Sequence, residues 1–161
     1  MPAPRRGKSE YGLQLAEKQK IRNTYRLRER QFKKYFANAK GPEQAYALLE
    51  SRLDSVIYRL GFAVTRGLAK QMVGHGHIMV NGRRVDIPSY VTKAGDVLSI
   101  RPGSAAKKIF EVLPEQLKKH EPPSWLVLDK EKKEGKVVGV PSPHEMGMEF
   151  NLQMVMEFYS R

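Results

Sequence analysis

Residues 52–85, RLDSVIYRLGFAVTRGLAKQMVGHGHIMVNGRRV, constrain this chain more than any other stretch. Ala45, Leu48, Leu49, Leu53, Val56, Ile57 and Leu60 recur with the i, i+3, i+4, i+7 spacing of one helix face. This predicts a helix over about 42–60, with Pro42 at its first position and Gly61 in a left-handed C-terminal cap. Thr65 then caps a second helix over about 66–73. Leu68, Met72 and Val73 face the first helix, and Arg66 and Lys70 lie on the opposite side. Gly74 and Gly76 bracket His75 and leave room for close backbone approach. Ile78-Met79-Val80, Asn81-Gly82 and Arg83-Arg84-Val85 spell a hairpin, because both central residues of a type I′ turn need positive φ. Pro88 ends its second strand, and Val97–Ile100 is a further strand. The apolar positions of this small helix-and-hairpin unit point inward. Its outward positions are mostly Arg, Lys, His, Asn and Gln, as in a nucleic-acid clamp.

Charge supports that direction. The chain has 161 residues, a formal net charge of +12 and a pI near 10.0, and 40% of its residues are apolar. It is long enough for a core and too apolar for a disordered basic tail. Residues 1–40 carry +9, residues 41–101 carry +3 and residues 102–161 are balanced. A solubility device needs no such gradient, whereas a chain pressed against phosphate along its first half does. No apolar run approaches the ~20 residues of a membrane span, and MPAPRRGKSE lacks the apolar centre of a signal peptide. Without cysteine there is no disulfide, no thiol nucleophile and no Cys-based zinc site.

The flanks are also legible. Ser9 caps a helix from about Glu10. In KQKIRNTYRLRERQFKKYF the pairs Ile21/Tyr25 and Phe32/Phe36 stand four apart, so Tyr25, Phe32, Tyr35 and Phe36 read as core rather than as base-stacking platforms. Lys18, Arg22 and Arg26 also recur every four residues and read as an outward basic ridge. Beyond residue 104, AAKKIFEVLPEQLKKH predicts a helix bent or divided at Pro114. Trp125 anchors a core, WLVLD and KVVGV flank a hairpin, and the apolar end FNLQMVMEFYSR is too apolar for a free tail.

Chemistry is harder to find. His75 and His77 stand two apart with no third ligand near, and His120 and His144 are distant in sequence, so no metal site is expected. No G-x-S-x-G elbow and no phosphate loop occurs. Asp54 reads as structural, paired with Arg52 or Arg59 or orienting the next loop. The expectation is therefore a non-enzyme with no cofactor and no small-molecule substrate.

RLDSVIYRLGFAVTRGLAKQMVGHGHIMVNGRRVDIPSY resembles the RNA-binding module named after small-subunit ribosomal protein four. That module also occurs in pseudouridine synthases, tyrosyl-tRNA synthetases and a heat-shock ribosome-binding protein. The flanks SEYGLQLAEKQKIR and MVMEFYSR are similar to the bacterial S-four ribosomal family itself. The resemblance implies an α+β fold. One part is mostly helical and built from both chain ends; the other is an inserted helix pair against a small antiparallel sheet. The expected divisions are a basic helical part over 1–50, the RNA-binding module over 51–104, and a segment over 105–161 returning to the helical part.

The same resemblance implies a cytoplasmic, ribosome-bound protein without a membrane partner. It would bind small-subunit rRNA early in assembly, organise the 5′ domain and sit near the mRNA entry channel, with a role in translational accuracy. The S-five protein would be a neighbour. Arg5, Arg6 and Lys8 hold the place that faces incoming mRNA in the family. Many bacterial members carry some 40 further residues ahead of this point, often with zinc-binding cysteines; this sequence begins beyond them and has no cysteine. The expected RNA contacts of the helical part are Lys18, Lys20, Arg22, Arg26, Arg28, Arg30, Lys33 and Lys34. Those of the module are Arg52, Arg59, Arg66, Lys70, His75, His77, Asn81, Arg83 and Arg84. Most should touch phosphate and sugar. The rival reading is the same module as a stand-alone or fragmentary part of an RNA-modifying enzyme or heat-shock protein.

Overall fold

The Ser9 hydroxyl accepts a hydrogen bond from the Gly12 N–H at 3.1 Å and so starts α1 (Glu10–Tyr25). In this computed structural model, which describes residues 9–143, 145 and 150–161, α1 stops where Arg26 turns left-handed at φ 56°. Helix α2 (Glu29–Ala37) buries Phe32 and Phe36, one turn apart on a single face. The chain end returns as α7 (Leu152–Tyr159), capped by Asn151, whose side-chain oxygen accepts from the Met154 N–H at 3.1 Å. It packs on α1 and α2: the Tyr159 ring lies 5.8 Å from Phe36, and Phe158 lies 5.7 Å from Tyr11. Ile21, Tyr25, Leu27, Phe32, Phe36, Leu152 and Val155 make the core of this helical unit. Tyr25, Phe32 and Phe36 of the basic stretch are thus core, Tyr35 is only half-buried, and the apolar tail is docked.

The second unit begins at Tyr46 and takes in the described residues up to 145. The single helix expected over 42–60 is two, α3 (Pro42–Glu50) and α4 (Leu53–Leu60). Arg52 breaks it with an extended backbone, φ −60° and ψ 143°. The loop at 88–92 supplies the reason. The Leu53 N–H donates to the Tyr90 carbonyl at 2.8 Å, and the Thr92 N–H donates to the Ser51 carbonyl at 2.8 Å. These long-range bonds replace helical ones. Gly61 takes the left-handed cap at φ 88°, and Thr65 caps α5 (Arg66–Gly74) through the Leu68 N–H. Helix α5 packs on α4 through Ala69, Met72 and Val73; Leu68 is only half-buried, so Ala69 takes its place on the inner face.

Five antiparallel strands form one sheet in the order β2-β1-β3-β5-β4. They are β1 (Ile78–Val80), β2 (Arg83–Arg84), β3 (Val97–Ile100), β4 (Leu126–Asp129) and β5 (Glu134–Val137). Asn81 and Gly82 both have positive φ, 51° and 79°, as the expected hairpin turn requires. Residues 105–120 are not one helix. Two 3-10 turns, Pro102–Ser104 and Lys108–Phe110, precede a short α6 (Leu113–Lys118), with Pro114 in its first turn where no N–H is needed. The β4–β5 hairpin pairs with β3, with Leu98 opposite Gly135. Residues 105–143 therefore belong to the second unit, and only the segment from residue 150 onward packs with the helical one. No helix among the described residues is long and apolar enough to cross a membrane.

Candidate nucleic-acid interface

The structure sorts the basic residues into two kinds. Those of the first kind are held inside by carboxylates. Arg52 is 1% exposed and bonds Asp54 through Nε at 3.0 Å and Nη2 at 2.9 Å. Glu50 is fully buried and accepts from Arg59 at 2.6 Å and from Arg66 at 3.2 Å. Arg66 also donates to the Ser55 hydroxyl at 3.1 Å and lies 4.7 Å over the Tyr58 ring. A buried charge needs a partner, and these guanidinium groups are such partners. Arg52, Arg59 and Arg66, expected as RNA contacts, are thus held by the protein's own carboxylates.

The helical unit repeats the pattern. Lys18 is buried and bonds Glu29 at 2.6 Å, with its ammonium 5.2 Å over the Phe158 ring of α7. Arg22 is half-buried and donates to the Leu27 carbonyl at 3.0 Å. The expected ridge of Lys18, Arg22 and Arg26 does not form, because α7 covers the face that carries Lys18. Of the three, only Arg26, at the left-handed end of α1, is exposed. Lys20 is exposed and pairs with Glu17 at 3.3 Å.

Glu29 at the centre of this network titrates below its ordinary value. Burial pushes it up, but hydrogen bonds from Lys18 and Tyr159 and the charges of Lys18 and Arg22 outweigh that.

The second kind faces solvent. Arg28, Arg30, Lys33 and Lys34 are exposed on the helical unit and form no ion pair among the described residues. On the second unit His75, Arg83 and Arg84 are exposed and Lys70 is half-buried. Asn81 is exposed but engaged: its side-chain amide donates to Asp96 at 2.9 Å and its oxygen accepts from the Val97 N–H at 2.9 Å, which ties the hairpin turn to β3. Arg5, Arg6 and Lys8 lie outside the described residues, as does His144.

His75 and His77, at the start of β1, sit 6.3 Å apart between ring centroids. His77 is not simply outward. Its Nδ1 is 2.7 Å from the Ser104 hydroxyl, which also accepts from the Arg101 Nε–H at 3.2 Å, and its ring meets Phe110 edge-on at 5.8 Å. Its pKa lies below the ordinary histidine value, first through burial and then through the charges of Lys107, His75, Arg101 and Arg84. Gly76, at φ 78°, lies under the Arg84 guanidinium, and a Cβ there would collide with it. Arg101 and Lys107 were not legible as members of this cluster. The one available signal is register: Ile100 pairs with Ile78, which sets Arg101 beside His77.

A helix pair, a small antiparallel sheet and an outward cationic face define an RNA-binding module of the S4 type. The S4 domain model matches residues 51–98, and the model of the ribosomal protein S4/S9 N-terminal domain matches residues 1–56. Small ribosomal subunit protein uS4 of Herpetosiphon aurantiacus is 50% identical to the chain, covering 98% of it and 78% of the relative's own length. The protein of the same name from Roseiflexus castenholzii is 48% identical, with 99% and 81% covered. That from Halothermothrix orenii is 47% identical, with 95% and 76% covered. The chain belongs to the small ribosomal subunit protein uS4 family.

Proposed function

We propose that the chain is a non-catalytic constituent of the small ribosomal subunit in the cytoplasm. It binds small-subunit rRNA through the exposed cations of α2 and of the β1–β2 hairpin and through the half-buried Lys70 of α5. The carrying observation is the sorting of charge: the buried Arg52 and the half-buried Arg59 and Arg66 are matched by carboxylates, while Arg83, Arg84, Lys33 and Lys34 face solvent with no ion pair among the described residues. Exposed cations that spend no charge on a carboxylate of their own chain suit a polyanion. Arg28 and Arg30 belong to the same contact set. Family membership supports the finer reading: early binding that organises the 5′ domain, with the S-five protein and incoming mRNA as neighbours and a part in decoding accuracy.

Sedimentation of the tagged protein with ribosomal particles tests this. The protein should travel with small subunits, and Arg83→Ala with Arg84→Ala should shift it toward the free fraction. Wild-type protein that stays free of small subunits would overturn the proposal.

A further inference from the structure

Five basic side chains converge at one end of the sheet of the second unit. His75 and His77 come from the turn between α5 and β1. Arg84 comes from β2 and reaches over Gly76. Arg101 follows β3, and its N–H continues the ladder to the His77 carbonyl at 2.8 Å. Lys107 comes from between the two 3-10 turns. Among the described residues none of the five forms an ion pair with a carboxylate. Elsewhere in this unit the tightly packed cations have an acid, Asp54 or Glu50. Like charges gathered without a counterion repel one another, and a bound anion removes that repulsion.

We propose that His75, His77, Arg84, Arg101 and Lys107 form a site for one phosphodiester of the bound RNA, and that filling it takes up a proton at His77. This rests on the RNA-binding reading above and adds to it a specific subsite and a pH dependence.

The hydrogen bonds at Ser104 explain how the site is set. The Ser104 hydroxyl accepts from Arg101 and lies 2.7 Å from Nδ1 of His77, to which it can donate when the ring is neutral and from which it can accept when the ring is charged. Phe110 holds the ring edge-on. In the free protein, burial and the four neighbouring cations disfavour charge on His77. A phosphate reverses the electrostatic part of that penalty, since it attracts the charged ring and offsets the field of Lys107, Arg101 and Arg84. A charged N–H is also the stronger donor to a phosphate oxygen. The free protein behaves in the opposite sense. Its unfolded chain takes up the His77 proton more readily, so its stability falls as pH drops below the ordinary value of 6.5.

The test is binding of the full chain to a 5′-domain rRNA transcript at fixed ionic strength, between about pH 5.5 and pH 8. Affinity should rise as pH falls, approaching about tenfold per pH unit for each proton taken up. His75→Gln with His77→Gln should flatten that rise and leave the steep salt dependence in place. Lys107→Ala, a change at an exposed residue, should reduce the steepness of the salt dependence by about one phosphate contact without changing the melting temperature. NMR titration of the two rings should show His77 protonating at higher pH with RNA than without, while millimolar inorganic phosphate alone shifts it far less. Steep salt dependence with a pH-flat wild type would overturn the site and leave RNA binding standing. Failure to bind the transcript at any salt or pH would overturn the RNA reading itself. A pH rise that survives loss of both histidines, or a Lys107→Ala protein with an unchanged salt slope, would also overturn the proposal.

Discussion

At the residue scale, Glu50 shows why an arginine's identity says little about its role. This fully buried carboxylate accepts from Arg59 on α4, across the helix break, and from Arg66 on α5, so one acid joins α3, α4 and α5. Glu50→Ala leaves two largely buried guanidinium groups without their counter-charge and should lower stability by roughly 3–5 kcal/mol. Arg66→Ala should also lower the melting temperature. Arg83→Ala should change stability by no more than about 0.5 kcal/mol, as exposed substitutions do, yet weaken RNA binding. Denaturant unfolding and RNA titration on the three variants check this. If Glu50→Ala unfolds at the wild-type midpoint, the network is not holding the helices.

At the element scale, α7 is the clearest case of a short segment whose stability comes from packing. Eight residues are too few for an isolated helix in water. It persists because Leu152 and Val155 are buried, because Phe158 and Tyr159 pack against rings of α1 and α2, and because the Tyr159 hydroxyl donates to Glu29 at 2.8 Å. Deletion of 150–161 should uncover Phe32 and Phe36 and expose Lys18. Amide hydrogen exchange in α1 and α2 should then rise steeply, while protection in β1 and β3 stays at its wild-type level. Unchanged protection of α1 would show that α7 does not hold the helical unit together.

At the scale of the whole molecule, the +12 net charge is concentrated in the first 40 residues, while the last 60 are balanced. Even after the buried pairs are set aside, Arg28, Arg30, Lys33 and Lys34 on one unit and Arg83 and Arg84 on the other are available to phosphate. If about six phosphates are neutralised, log affinity for small-subunit rRNA should fall linearly with log salt, with a slope on the order of −5. Filter binding across about 50 to 300 mM salt checks this, and a nearly flat line would point to a protein partner instead.

Local rules were enough to read the caps at Ser9, Thr65 and Gly61, the Asn81-Gly82 turn, the core aromatics Phe32 and Phe36, and the docked tail. Each is decided by residues within four positions of one another, where backbone sterics and helical period act. The motif between 52 and 85, with its flanks, was also sufficient to recognise the family. Only the tertiary structure decided which cations are buried. Arg66 meets Glu50 across 16 residues, Lys18 is covered by a helix from the other end of the chain, and His77 meets Ser104 across 27 residues. The same holds for the break at Arg52, made by a loop nearly 40 positions away, and for the β4–β5 hairpin that extends the sheet. A charge or an open backbone group is satisfied by whatever the fold brings beside it, and no periodicity in the sequence records that partner.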